Sequence, residues 1–285
     1  MPGPTFALAF AGLSDIYVPL ASWGELSSRE ALPRARAAAE RALEIDEELC
    51  EAHTSLGNVL YGLWDMAGAE VALQRSIVLN PNYPTAHNRY AQVLVSLKRF
   101  DEAMIEIGLA QQLDPLSAII NTAIGAPYFY ARQYDRAIEH YRKVLELDPD
   151  FVPALFSLGS ALSQKGLFKE AILTARKVVE ITGSHPLMSV HLANMYAAAG
   201  RRDQALRELD ALLSSGRREV LPYTLSLVYA RLGDCDRAMA LLEEAYEQHS
   251  THLHDLSIDP EFDTLRSDPR FIDLLQRVGL APRPA

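Results

Sequence analysis

Apolar residues recur along this chain with the spacing of amphipathic helices, and the whole pattern repeats every 34 residues. Seven alanines mark the repeat: six are spaced by 34 residues, and the last follows after 33. A fixed period of this length predicts stacked pairs of antiparallel helices, because one pair alone cannot bury its apolar face. The expected fold class is therefore all-α. The marker alanines are Ala35, Ala69, Ala103, Ala137, Ala171, Ala205 and Ala238.

Small residues in the first helix of each pair support the same register. Each is followed three residues later by a large apolar or aromatic residue. The small residue lets two helix backbones approach, while the large side chain fills the adjacent groove. The small residues are Gly57, Ala91, Gly125, Gly159, Ala193 and Ser226. The predicted repeats cover 50–83, 84–117, 118–151, 152–185, 186–218 and 219–252, after an irregular first repeat over 7–49.

Turn residues complete the pattern and identify the family. Proline cannot continue a helix, and three repeats end on one, while glycine supplies the turn inside three later pairs. These residues are Pro81, Pro115 and Pro149, then Gly166, Gly200 and Gly233. Together with the alanines they resemble the tetratricopeptide-repeat (TPR) family over residues 7–252. The resemblance implies a right-handed superhelical solenoid of about seven helix pairs over 1–252, followed by a short helical cap over 253–285. In the cap, Asp259 and Asp268 are expected to be N-terminal caps of short helices, and Phe262 and Phe271 to cover the exposed face of the last repeat.

Two places depart from the regular pattern. Phe10, Leu13 and Tyr17 predict the first helix of the irregular repeat, but the spacing to its second helix exceeds the pattern by nine residues. Residues 18–28 are therefore expected to contain a loop insertion, either a tolerated surface loop or a functional one. Pro127 falls in the middle of a predicted helix, where it removes one backbone hydrogen bond. A kink is expected there. It either turns Phe129 and Tyr130 towards a ligand or is a tolerated surface kink without effect on binding.

Composition narrows the classes of partner. The formal net charge of −10 argues against nucleic-acid binding, which requires clustered lysine and arginine. No apolar run reaches the ~18 residues that span a bilayer, and no basic amphipathic helix suits a membrane surface. Cys50 and Cys235 are separated by more than five repeats and are expected to be free, which favours a reducing compartment. A cytoplasmic location is expected; the alternative is periplasmic, within a membrane-anchored regulator.

Residue patterns typical of catalysis are missing from the sequence. None of the 15 glycines forms a phosphate-binding loop, and neither a nucleophile elbow nor a C-x-x-C pair occurs. His249, His252, His254 and Asp255 form one cluster with spacing that can hold zinc. A solvated polar linker is the preferred interpretation of so short a histidine-rich stretch. We therefore expect no enzymatic activity, no catalytic residue, no metal site and no cofactor.

The TPR resemblance implies a concave surface, lined by the first helix of each pair, that binds a protein or peptide. Among the residues at the family's usual ligand-facing positions only Glu51 and Arg231 are charged, which suits an extended or helical peptide held by amides and aromatic rings. Arg89 lies outside those positions and is added as a further candidate. The alternative for the aromatic residues is packing between repeats. The candidate peptide-binding residues are Thr54, Asn58, Tyr61, Asn88, Arg89, Gln92, Thr122, Phe129, Tyr130, Phe156, Asn194 and Tyr223.

Three functions fit these features. The first is a non-catalytic scaffold that binds a protein or peptide in the concave groove. The second rests on the Asp-Pro-x-Phe patterns at 259–262 and 268–271, which resemble the C-terminal end of TPR arrays in bacterial signalling proteins. That resemblance implies the regulatory half of a winged-helix regulator, adenylate cyclase, protein kinase or glycosyltransferase whose output domain is missing from this chain. The third is self-assembly into a homo-oligomer.

Overall fold

The computed structural model describes residues 4–183, 185–214 and 222–280, and every regular element in these ranges is a helix. The predicted repeat boundary at 218 and the last residues of the predicted cap lie outside them. The irregular repeat forms α1 (Pro4–Ser22) and α2 (Ser28–Ile45). The next helices are α3 (Cys50–Gly62), α4 (Met66–Leu79), α5 (Pro84–Ser96), α6 (Phe100–Leu113), α7 (Ala118–Ala123), α8 (Gly125–Tyr130) and α9 (Tyr134–Leu147).

The second half of the chain continues the helix pairs and ends in short helices. Its α-helices are α10 (Val152–Gln164), α11 (Phe168–Thr182), α12 (Pro186–Ala198), α13 (Arg202–Ser214), α14 (Pro222–Arg231), α15 (Cys235–Glu247) and α16 (Pro269–Val278). Two 3₁₀ helices, Thr251–Asp255 and Pro260–Leu265, lie between α15 and α16. The all-α array of helix pairs that the 34-residue period predicts is therefore confirmed.

A left-handed residue closes the turn inside each regular pair. Gly166, Gly200 and Gly233 have φ between 71° and 81°, as the turn requires. The equivalent positions of the three earlier repeats hold Trp64, Lys98 and Arg132, with φ between 62° and 65°. These larger residues adopt a conformation that L side chains disfavour, because packing between the two helices fixes the turn geometry.

The described chain divides into two compact units. The first unit comprises Met1–Leu116, Tyr246–Ser257 and Gln276–Ala285, and the second comprises Ser117–Ala245 and Ile258–Leu275. Within the first unit α3 contacts both α1 and α5, and within the second α12 contacts both α10 and α14. The first helices of successive pairs thus lie side by side. We call the surface that they form the inner face of each unit.

The marker alanines are the tightest packing points of the array, and all seven have no exposed surface. Ala137 on α9 is one of them, so the longer side chain of Ala137→Leu has no free space to enter. Overpacking of this kind typically costs ~1–3 kcal/mol of unfolding free energy. Urea unfolding should therefore show a lower midpoint for Ala137→Leu. Ala37→Leu, at an exposed position of α2, serves as the control and should leave the midpoint nearly unchanged.

The irregular repeat absorbs its extra residues as helix rather than as loop. α1 has 19 residues and α2 has 18, whereas α3 and α4 have 13 and 14. The helix continues through Pro19, whose carbonyl accepts a hydrogen bond from the Trp23 amide at 2.8 Å. Only residues 23–27 connect the two helices, so the segment 18–28 contains a loop, as predicted, but one shorter than the nine extra residues.

The predicted first helix of the irregular repeat is confirmed as α1, and its buried side consists of small residues. Ala7, Ala11, Ser14 and Val18 face the core, at the i, i+4, i+7, i+11 spacing of one helix face. Phe10 and Tyr17 are only partly buried, and Leu13 keeps 40% of its surface exposed. Small residues face the core because they let α1 approach α2 closely, and this approach leaves no room for the large ones.

The kink expected at Pro127 is confirmed as a break between two short helices. α7 ends at Ala123 and α8 begins at Gly125, because a proline at 127 has no amide hydrogen to bond the carbonyl of residue 123. The side chain of Phe129 is nevertheless buried, with its ring edge-on to Tyr130 and Tyr134. The prediction that the kink presents Phe129 to a ligand is therefore wrong.

Over the described ranges, no helix combines the length and the apolarity that crossing a membrane requires.

Candidate functional site

Many of the predicted binding residues lie on the first helices of the pairs, but several of their side chains are buried in contacts within the protein. Thr54 on α3 shares a hydrogen bond of 2.8 Å with Ser76 on α4. Thr122 donates to the carbonyl of Ala118 at 2.7 Å, one helical turn earlier. Both side chains are buried. These two hydroxyls therefore bond within their own repeats and are not displayed to a partner.

Phe156 also packs within its unit. Its ring stacks on the imidazole of His191, with centroids 3.9 Å apart and an angle of 23° between the planes. Burial lowers the pKa of His191 to about 3, so the imidazole is neutral at physiological pH. The stack joins α10 to α12. Phe156 thus follows the alternative interpretation, in which aromatic residues of the first helices pack between repeats.

The buried His191 predicts a specific acid sensitivity. Between pH 6.5 and about 3 the unfolded chain binds a proton at this residue and the folded chain does not. Folding stability should therefore fall as pH is lowered through this window, by roughly 1.4 kcal/mol per pH unit. Urea unfolding at several pH values measures the slope, and His191→Phe should flatten it.

His87 provides the matched comparison, because its shift has the opposite sign. A hydrogen bond between its Nδ1 and Glu106 Oε2, 2.7 Å long, raises the pKa of His87 above 6.5. The stability that it contributes is complete below 6.5 and is lost as pH rises through the folded-state pKa. His87→Gln should therefore leave the acid slope in place. Equal slopes in wild type and His191→Phe would contradict the assignment.

Four predicted residues form a polar patch on the inner face of the first unit. Asn58 lies on α3, and Asn88, Arg89 and Gln92 lie on the adjacent α5. Arg89 Nη1 donates to Gln92 Oε1 at 3.1 Å, and the Oδ1 atom of Asn88 is buried without a hydrogen-bond partner. Burial lowers the pKa of Arg89, while the carboxylate of Asp15 partly offsets this effect. The patch therefore combines a positive charge with amide groups.

Residues 249–257, which we call the histidine segment, pack on the first unit. The ring of His254 stacks on Tyr61, with centroids 3.9 Å apart. Ser96 Oγ donates to Asp255 Oδ1 at 2.6 Å, and the Tyr61 hydroxyl lies 3.4 Å from the same oxygen. Burial raises the pKa of Tyr61 well above 10, so this hydroxyl stays protonated and can donate. Tyr61, predicted to face a ligand, faces the chain's own segment instead.

The interpretation of this stretch as a solvated linker is wrong. Thr251 and Leu253 are buried, and His252 Nε2 donates to the carbonyl of Ser22 at 3.0 Å. Trp64 Nε1 donates to the carbonyl of Ser250 at 2.9 Å. His252 and Asp255 therefore have fixed partners in the first unit. Among the described residues, no group of three or more histidine, cysteine, aspartate or glutamate side chains is placed to hold a metal ion.

Residues 258–266, which we call the acidic segment, pack on the second unit. The Tyr223 hydroxyl donates to Asp259 Oδ2 at 3.1 Å, and Asn194 Nδ2 donates to Glu261 Oε2 at 2.6 Å. Tyr223 also meets the ring of Phe262 edge-on, with centroids 5.5 Å apart. Asn194 and Tyr223 are predicted binding residues, and the structure brings them together around this segment.

Part of the predicted cap therefore lies on the inner face. Asp259 accepts a hydrogen bond from the Glu261 amide at 2.9 Å, which agrees with its expected role as an N-terminal cap. The fully buried Phe262, expected to cover the exposed face of the last repeat, packs edge-on to Tyr223 of α14, the first helix of that repeat. The carboxylates of Asp259 and Glu261 accept hydrogen bonds from first helices of the second unit, and these bonds hold the segment on the inner face.

Several buried polar atoms on the second inner face have no hydrogen-bond partner. They are Ser163 Oγ on α10, Asn194 Oδ1 on α12, and the Nε and Nη2 atoms of Arg231 on α14. Arg231 Nη2 lies 3.7 Å from Glu261 Oε1, close enough for charge attraction but too far for a hydrogen bond. An unsatisfied buried polar group costs about 1–3 kcal/mol, so this face favours a ligand that supplies the missing partners.

Comparison with known proteins places these units in a family of helical repeats. Family models described as tetratricopeptide repeat match residues 54–118 and 152–185, and one described as TPR repeat matches 125–166. Human tetratricopeptide repeat protein 13 is 34% identical over 122 residues, which cover 42% of this chain and 14% of that protein. A repeat protein named TPR repeat-containing protein MJ0941, from Methanocaldococcus jannaschii, is 34% identical over 89 residues, covering 31% of this chain and 26% of that protein. The matches thus span less than a third of these relatives.

Solved structures share the fold at low sequence identity. A tetratricopeptide repeat protein from Parabacteroides merdae superposes with a TM-score of 0.60 at 13% identity, over 96% of this chain and 99% of that one. The human IFIT1 dimer with m7Gppp-AAAA gives a TM-score of 0.62 at 19% identity, over 87% of this chain and 64% of that one. At these identities the likeness concerns the fold alone.

Proposed function

Because this chain is a tetratricopeptide-repeat protein, we propose that the inner faces of its units bind a peptide segment of a partner protein. Helical repeats of this kind generally serve as scaffolds for protein interaction, because stacking produces long surfaces rather than closed pockets. On this proposal the protein acts by binding and catalyses no reaction.

One observation carries the proposal. The inner face of the second unit holds the acidic segment through side-chain contacts at Asn194 and Tyr223. A surface that can hold a short polypeptide of its own chain has the donors and the aromatic contact that a peptide from another protein needs. The polar patch around Arg89 offers similar chemistry on the first unit.

A nucleic-acid ligand is a weaker alternative. The human IFIT1 dimer was solved with m7Gppp-AAAA. The present chain carries 27 lysine and arginine residues against 37 aspartate and glutamate residues. Binding to phosphates depends on a surplus of clustered positive charge, so this balance favours a peptide.

The proposal is tested by selecting peptides from a display library against the full-length protein. Selected peptides are then titrated against Arg89→Ala and Arg231→Ala, one on each inner face, and against Arg142→Ala as the control. Arg142 lies exposed on the outer helix α9, paired with Glu170. We expect at least one inner-face variant to bind ten-fold more weakly and the control to bind as wild type. Peptides that bind all four proteins equally would contradict the proposal.

A further inference from the structure

We infer that the ligand of the second inner face is an acidic peptide carrying an aromatic residue, and that it binds where the acidic segment now lies. This inference rests on the proposed function and names its ligand class. The acidic segment is then an internal competitor, held by the same groups that recognise the external peptide.

Donors on the second inner face and in the turn between α8 and α9 match a series of carboxylates. Asp259 is held by Tyr223, Glu261 by Asn194, and Asp263 by Arg132, whose Nη2 donates to Oδ1 at 2.8 Å. Each of the three groups thus meets a donor from a helix pair of the second unit. Hydrogen bonds to ionised carboxylates are about twice as strong as those between neutral groups. A peptide with acids at this spacing would therefore satisfy the same donors.

An aromatic side chain completes the recognition. Phe262 follows Glu261 directly and is fully buried between Tyr223 and Phe271, with ring centroids 5.5 and 5.8 Å away. The edge-to-face contact with Tyr223 adds about 0.5–1.5 kcal/mol to the free energy of burial. The inference therefore requires an acid followed by an aromatic residue in the external peptide.

The acidic segment forms no hydrogen bond with the strongest donor of the second inner face, the guanidinium of Arg231. The Nε and Nη2 atoms of Arg231 form the edge of a guanidinium that takes a carboxylate through two parallel hydrogen bonds. Both atoms are buried without a hydrogen-bond partner, and Glu261 stays 3.7 Å from Nη2. Asn194 Oδ1, also unpartnered, can accept an amide hydrogen of a peptide backbone. An external peptide free to place its carboxylate gains bonds that the internal segment does not make.

The acidic segment is held in a way that lets an external peptide replace it. Its regular part, Pro260–Leu265, is a 3₁₀ helix, whose hydrogen bonds have poorer geometry than those of an α-helix. Its position therefore depends on the side-chain contacts that a competing peptide would replace. The negative charge elsewhere on the chain does not prevent an acidic peptide from binding, because salt screens exposed charges beyond about 10 Å.

The test uses a fluorescein-labelled synthetic peptide with the sequence of residues 256–266 and the full-length protein. Fluorescence anisotropy compares wild type with Glu261→Gln, which removes the carboxylate that Asn194 holds and the negative charge that faces Arg231. Glu139→Gln, on the outer helix α9 and paired with Lys143, is the matched control. We expect the peptide to bind Glu261→Gln at least ten-fold more tightly than wild type or the control. Adding Arg231→Met to Glu261→Gln should abolish this gain.

If Glu261→Gln does not fold, hydrogen exchange of the wild-type protein provides a second test. Hydrogen exchange of wild type with excess peptide should show faster exchange in residues 258–266 and slower exchange in α12 and α14. Unchanged exchange at saturating peptide, or equal affinities for folded Glu261→Gln and wild type, would overturn the inference. Library peptides that bind the inner face without competing with the acidic peptide would overturn the inference alone, whereas failure of every peptide would also remove the proposed function.

Discussion

Gly125→Ala is expected to destabilise the protein by ~3 kcal/mol or more, the upper end for overpacking. A Cβ atom at this position would lie 2.2 Å from Cε1 and 2.5 Å from Cζ of Tyr141. The Tyr141 ring is only 3% exposed, so it has no free volume into which it can move. The substitution must therefore displace α8 from α9. The midpoint of urea unfolding, followed by circular dichroism, measures the loss.

Gly108→Ala is the matched control for this substitution. Gly108 lies within α6, and a Cβ atom there would meet nothing within 4 Å. Replacing glycine by alanine in an open helical position stabilises by roughly 0.5–1 kcal/mol, because the unfolded chain loses conformational freedom. The two variants should therefore shift the midpoint in opposite directions. A Gly125→Ala midpoint equal to or above that of Gly108→Ala would show that the packing described around Tyr141 is wrong.

Phe262→Ala is expected to cost about 3–5 kcal/mol of unfolding free energy, the usual range for a buried phenylalanine. Its ring is fully buried between Tyr223 and Phe271, so truncation opens a cavity beside the inner face. Ile272→Ala tests the specificity of this effect, since Ile272 belongs to the adjacent α16 and is 44% exposed. The exposed substitution should cost under about 1 kcal/mol. Equal losses for both variants would mean that the acidic segment is not anchored by Phe262.

The helix pairs of this protein could be predicted because each is a local consequence of its own sequence. An alanine every 34 residues, with a small residue on the facing helix, specifies close approach without reference to the rest of the chain. The break at Pro127 follows from one missing amide hydrogen, which is also a local property. Periodicity and backbone chemistry therefore predict the array well.

The features that could not be predicted from the sequence depend on packing between residues far apart in the chain. Pro19 and the nine extra residues suggest a loop, but burial of Val18 and Ala21 against α2 keeps α1 helical to Ser22. Residues 249–266 have no helical period, and only the folded inner faces provide the donors that hold their acids and histidines. The Asp-Pro-Glu-Phe pattern was the available signal, and it predicted the cap of a helix correctly without indicating the surface on which that helix packs.

Photo-crosslinking tests the central claim, that the second inner face recognises an acidic peptide, most directly. The peptide of residues 256–266 is made with benzoylphenylalanine in place of the residue corresponding to Phe262, irradiated with full-length Glu261→Gln, and mapped by mass spectrometry. The account predicts crosslinks within α12 and α14, near Asn194 and Tyr223, that are lost when unlabelled peptide is added in excess. Crosslinks confined to the outer helices, or unaffected by that competitor, would contradict it.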